Sequence, residues 1–136
     1  MEQIMQKLKL TMSTLQHLMD IRLQNYSLTR SQTEILMLIE LENGIEHRLL
    51  LEKLRVTSPT LTSFLNELER RELLYRQVSE TDARVRLLYL TSKGEDMAQK
   101  LRQEALEVLQ EVFEDFSSQE VETLSELLDR IISKGD

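Results

Sequence analysis

Ser58, Thr60, Thr62, Ser63 and Asn66 share the outward face of a segment that opens Ser58-Pro59, and Arg76, Arg84 and Arg86 follow shortly after. Short hydroxyl and amide side chains cannot activate a nucleophile without a base beside them. They can hydrogen-bond to base edges and phosphates without bulk. Arginines on a nearby hairpin suit phosphates and a narrow minor groove. The pattern therefore points to contact with duplex DNA. Catalytic constellations are absent: there is no Gly-rich phosphate loop, no HExxH and no Gly-x-Ser-x-Gly. The chain has no cysteine, which excludes disulfides, thiolate metal sites and thiol redox sensing. His17 and His47 are too few and too far apart to make a metal centre, so no metal and no cofactor are expected.

These side chains need a scaffold, and the hydrophobic spacing supplies one. Ile4, Leu8, Met12, Leu15, Met19 and Leu23 make a helical stripe. Thr29 to Gln32 reads as a capping box, opening a helix through Ile35, Leu36, Leu38, Ile39 and Leu41 that Asn43-Gly44 stops. A short helix over Glu46 to Leu54 turns at Arg55-Val56-Thr57 into a second one. There Ser58 is expected as N-cap and Pro59 as the first helical residue, with Leu61, Leu65 and Leu68 inward as far as about Arg71. Leu73–Val78 and Arg84–Leu90 read as the strands of a hairpin with a polar tip, Ser79 to Ala83. A long helix capped by Thr91 or Ser92 carries Met97, Leu101, Ala105, Val108, Val112 and Phe116, and Ser117 to Glu120 opens the last. Its apolar residues are Val121, Leu124, Leu127, Leu128, Ile131 and Ile132.

The expected fold is mainly α with a small β-hairpin wing: a winged helix-turn-helix with N- and C-terminal dimerisation helices. The 136 residues form one domain in this reading. Residues 28–93 are the DNA-binding lobe, and residues 1–27 and 94–136 the helical dimerisation region. Leu8, Met12, Leu15, Val112, Phe116, Leu124, Leu127, Leu128 and Ile131 are the expected contact residues of these ends, for self-association or for a partner. Charge is distributed in keeping with this division. Although the chain carries a net −7, residues 28–93 hold ten basic and ten acidic side chains, so the ends carry the whole imbalance. No apolar run approaches the 18 or so residues of a membrane span, and a cytoplasmic location follows as the expectation.

From Leu28 to Gly94 the sequence resembles the MarR (multiple-antibiotic-resistance regulator) family of bacterial repressors. The matching pieces are Leu28-Thr29, Leu54 to Thr62, Leu68 to Leu74, Asp82-Ala83-Arg84 and Leu90-Thr91-Ser92-Lys93-Gly94, in order. The resemblance implies an obligate homodimer whose terminal helices interleave and which reads a pseudo-palindrome with half-sites roughly 10 base pairs apart. It implies a minor-groove role for Arg84, an ion pair between Asp82 and Arg84 that holds the wing, and release of DNA by a small, anionic aromatic effector. The chain departs from the family at Glu72, where glycine is usual, and in a recognition helix without Lys or Arg on its first two turns. Binding then depends on Arg48, Arg55, Arg76, Arg84 and Arg86, with modest affinity and a shallow salt dependence. A second reading stays open: a winged helix that no longer binds DNA and acts on another regulator. The acidic total favours it; Arg84 and Arg86 argue against it.

Overall fold

A computed structural model describes all 136 residues. Its helices are α1 (Glu2–Leu23), α2 (Arg30–Leu41), α3 (His47–Leu54), α4 (Ser58–Arg70), α5 (Ser92–Val112) and α6 (Ser118–Ile132). Its strands are β1 (Ile45–Glu46), β2 (Leu74–Val78) and β3 (Arg86–Leu90), in the antiparallel order β1-β3-β2. The chain divides into two compact units, Met1–Glu104 and Ala105–Asp136. No helix is long and apolar enough to cross a membrane.

The core of the first unit is aliphatic. Ile35, Leu36 and Ile39 of α2 are fully buried with Leu50 of α3, Leu61, Leu65 and Leu68 of α4, Leu88 of β3 and Leu101 of α5. Each such side chain contributes roughly 1.5–3 kcal/mol by leaving water, so this cluster fixes how α4 is held. The capping box at Thr29 forms in both directions: Gln32 N donates to Thr29 Oγ1 (3.1 Å) and Thr29 N to Gln32 Oε1 (3.0 Å). The box at Ser117 and Glu120 forms likewise. Leu41, expected on the apolar face of α2, is instead 81% exposed at the helix end.

Two features escaped the pattern. β1 has only two residues, too few for an alternation to register, yet Ile45 pairs with Leu88 and Glu46 with Leu87. Gly44, at φ 93°, turns the chain into it and donates to Leu88 O (2.8 Å). β2 and β3 are also shorter than expected: Leu73 belongs to the preceding turn and Arg84 to the wing turn. The connection into α5 is tightly bonded. Thr91 Oγ1 donates to Glu72 O (2.6 Å) and accepts from Gly94 N (3.0 Å), and Thr91 N donates to Leu73 O (3.2 Å). The Leu-Thr-x-x-Gly sequence thus locks the start of α5 onto the turn after α4. Glu72 sits in that turn at φ 61°, a left-handed conformation that explains why glycine would suit the position.

α1 has no buried residue, and Ile4, Met5, Leu8, Leu10 and Met12 are exposed. In the second unit α6 likewise buries none of its apolar side chains, and Leu127, Leu128, Ile131 and Ile132 are exposed. Phe113 and Phe116 pack edge to face there, with ring centroids 5.2 Å apart.

Candidate nucleic-acid interface

α3 ends at Arg55, whose left-handed backbone (φ 54°) turns the chain sharply toward α4. The N-cap of α4 is Thr57, one residue before the expected Ser58. Thr57 is extended, its hydroxyl accepts from Thr60 N (3.3 Å), and Ser58 and Pro59 occupy the first helical turn. Proline fits there because first-turn amides have no intrahelical partner. The shift relieves Ser58 of capping and leaves its hydroxyl on the outer surface. Thr60 is engaged differently, since its hydroxyl accepts from Thr57 Oγ1 at 2.7 Å.

An open groove of about 830 Å³ runs along α4, lined by Ser58, Pro59, Thr62, Ser63 and Asn66 together with Gln32, Phe64, Glu67 and Arg70. Glu67 puts a negative charge in that groove. Arg70 answers it through paired guanidinium hydrogen bonds, which hold the Glu67 carboxyl below the usual carboxylate range. The groove therefore gains no net charge from the pair.

The arginines named from the sequence do not scatter. Arg48 from α3, Arg76 from β2, Arg84 from the wing turn and Arg86 from β3 line one cleft of about 310 Å³, with Glu46, His47 and Val85. Strand register explains the convergence. Arg76 stands opposite Leu88 and Arg86 opposite Val78, on the sheet face that carries Leu74, Leu88 and Leu90. That face is core at one end and basic at the other, where the sheet runs past the core and the long side chains carry their charge to its edge. Arg76 Nη2 donates to Asn66 Oδ1 (2.6 Å), and its Nε lies 3.5 Å from Glu69 Oε2 without hydrogen-bond geometry. It therefore ties β2 to the exposed face of α4. Arg84 is 91% exposed; its Nε donates to Asp82 Oδ1 (3.2 Å), and its backbone N–H donates to the same oxygen (3.0 Å). These bonds, the side-chain one first, hold the Asp82 carboxyl below its ordinary range. Arg86 Nη1 donates to Ala83 O (3.0 Å), which braces the same turn. Arg48 is exposed and pairs with Glu52 (3.3 Å) and Glu46 (3.8 Å). Arg55 does not join the cleft; it is exposed on the α3–α4 turn.

His47 was visible in the sequence only as one of two isolated histidines. Its place in the cleft depends on β1, the strand too short to read. Burial, and then the Arg76 charge, hold its pKa below the usual imidazole value. No group of three or more His, Asp or Glu side chains could hold a metal ion.

A second cleft, of about 590 Å³ and mostly apolar, lies between α1 and α2, with Leu15, Met19, Leu23, Met37 and Leu38 among its walls. Its charged lining is Asp20, Arg30 and Glu34, and Arg30 pairs with Asp20 at 2.7 Å. Thr33 also lines it; that side chain is buried, and its hydroxyl has no hydrogen-bond partner.

Two helices joined by a tight turn, the second carrying a polar outer face beside an arginine-bearing antiparallel hairpin, define a winged helix-turn-helix protein. The MarR family's sequence model matches residues 28–85. The HTH-type transcriptional regulator SarZ of Staphylococcus epidermidis is 31% identical over 115 residues, covering 83% of this chain and 75% of that protein. The chain belongs to the MarR family. The fold agrees: S. aureus MepR in its DNA-binding conformation superposes with a TM-score of 0.85 at 22% identity, covering 98% of both chains. A mutant E. coli MarR complexed with operator DNA superposes at 0.79 and 24% identity, covering 93% of this chain and 91% of that one.

Proposed function

We propose that the protein is a cytoplasmic, ligand-responsive repressor that binds a pseudo-palindromic DNA site as a homodimer and has no enzymatic activity. The observation that carries this reading is the gathering of Arg48, Arg76, Arg84 and Arg86 around one cleft next to the polar face of α4. A net-acidic chain has gathered four arginines beside the face on which, in this reading, a duplex docks. In this reading Ser58, Thr62, Ser63 and Asn66 meet the major groove, Arg84 enters the adjacent minor groove, and Asp82 holds the turn that aims it. The capping contact of Thr60 and the position of Arg55 fit phosphate contact rather than base reading. The DNA complex of the related E. coli protein supports the same use of the fold.

Dimerisation is supported by the unburied apolar stripes. Leu8 and Met12 on α1, and Leu127, Leu128 and Ile131 on α6, are exposed in the single chain. An exposed apolar stripe of this kind marks an association face on each helix. Phe116, half exposed, and the partly covered Leu15, Val112 and Leu124 would complete it. The α1–α2 cleft is the candidate effector site. Two carboxylates against one arginine line it, a balance that favours a neutral or cationic effector over the anionic aromatic that the family resemblance implies.

The rival reading, a winged helix acting only on another regulator, draws on Glu67 in the α4 groove. Selection of genomic fragments by the purified protein decides between them. Enrichment of a pseudo-palindrome, bound more weakly as salt rises, is the expected result. No enrichment at low salt would favour the rival.

A further inference from the structure

The basic cleft adjoins the polar face of α4 through Arg76. Arg76, hydrogen-bonded to Asn66 on the polar face of α4, forms one wall, and Arg84 and Arg86 of the wing form another. With α4 in the major groove and the wing in the adjacent minor groove, the sugar-phosphate strand between those grooves crosses between the two. The cleft, at about 310 Å³, has room for a phosphate group, and Arg48, Arg76, Arg84 and Arg86 line it. His47, on the first turn of α3, is the one lining side chain whose charge can change near neutral pH.

We propose that this cleft seats one backbone phosphate of the bound DNA in each subunit, and that His47 takes up a proton as the phosphate enters, so that affinity rises as pH falls. The inference rests on the DNA-binding reading above. The sign follows from linkage. In the free protein, burial and the Arg76 charge disfavour the protonated imidazole. An entering phosphate offsets the Arg76 charge and hydrogen-bonds to the imidazolium, so the complex holds more protons than the free protein. Binding then strengthens on acidification, by at most about tenfold per pH unit per subunit. Arg48 on the same helix, Arg76 on β2, Arg84 and Arg86 at the wing and Glu46 on β1 line the cleft with His47, and Glu52 on α3, Glu69 on α4 and Asp82 in the wing turn pair with those arginines.

The test measures dissociation constants of the full-length protein for its selected duplex by fluorescence anisotropy, from pH 7.5 to 6.0 at constant ionic strength. The variants are His47→Gln, His47→Arg and His17→Gln. The parent and His17→Gln should bind several-fold tighter at pH 6.0 than at 7.5. His47→Gln should gain nothing on acidification, its affinity staying level between pH 7.5 and 6.0. His47→Arg should bind tightly and flatly across the range, which a purely structural role for the ring would not produce. Thermal melts of each variant establish that it is folded. A flat parent profile, or an unchanged slope in His47→Gln, overturns the proposal while leaving DNA binding intact. Failure of the parent to bind any selected duplex at any pH overturns the DNA reading itself. In the free protein, the NMR titration midpoint of His47 should rise with duplex and stay put with millimolar inorganic phosphate at equal ionic strength. A rise with inorganic phosphate alone would reassign the cleft to a small free anion and overturn the backbone assignment.

Discussion

Gly94→Ala is expected to destabilise the winged lobe by an amount that the structure sets. A Cβ built on Gly94 falls 1.8 Å from the carbonyl oxygen of Leu73, against a practical minimum of 3.0 Å. The start of α5 and the turn before β2 must therefore part by about 1.2 Å, the difference between those distances. The obstacle is backbone, so no rotamer change relieves it. The movement strains Thr91 N to Leu73 O, Thr91 Oγ1 to Glu72 O and Lys93 Nζ to Arg71 O, at 3.2, 2.6 and 3.1 Å. Losing two such bonds costs about 2 kcal/mol, and overpacking adds about 1–3 kcal/mol. Alanine's better helix propensity returns less than about 1 kcal/mol. The net loss of about 2–4 kcal/mol should lower the melting temperature by roughly 10 °C for a chain of this size. Circular-dichroism melts at one fixed protein concentration measure it, because the proposed dimerisation would make the midpoint concentration-dependent. Gly135→Ala is the control, since nothing lies within 4 Å of a Cβ there. A Gly94→Ala variant that melts with the parent would refute the lock between α5 and the α4–β2 turn.

Glu72→Gly should stabilise. The left-handed backbone at φ 61° costs an L-residue about 1–2 kcal/mol, the extra unfolded-state freedom of glycine returns part of it, and a rise of a few degrees in the same melts is expected. Thr33→Val replaces a buried hydroxyl without a partner by a near-isosteric methyl and should gain about 1 kcal/mol; a lower midpoint would mean that the hydroxyl is satisfied in solution. Leu127→Asp places a charge on the exposed stripe of α6 and should weaken the dimer more than a hundredfold by sedimentation equilibrium, through a desolvation cost of at least about 3 kcal/mol. Parent-like dimers would remove α6 from the interface.

The helices were legible because their signals are local. The Thr29 and Ser117 boxes need four residues each, and Leu61, Leu65 and Leu68 repeat at helical spacing. The N-cap of α4 was misplaced by one because Thr57 and Ser58 are both favourable caps, and only geometry chooses between them. β1 was invisible because its two residues are specified by Leu87 and Leu88, some forty positions away. The candidate site was legible as a set of residue types but not as an arrangement. Arg48, Arg76, Arg84 and Arg86 could be named from the sequence; their shared cleft, and His47 within it, follow from register and from β1. Gly94 was readable as part of a motif, whereas its reason, the Leu73 carbonyl, is a tertiary contact.

The central claim is that α4 and the wing grip duplex DNA, and the salt dependence of binding by the parent and Arg84→Ala tests it most directly. Arg84 is 91% exposed, so its loss should leave the fold intact. The account predicts that Arg84→Ala binds every duplex at least about tenfold more weakly. Its plot of log affinity against log salt should be shallower by about two, one released ion per subunit. Equal affinity and equal slope for the two proteins would contradict it.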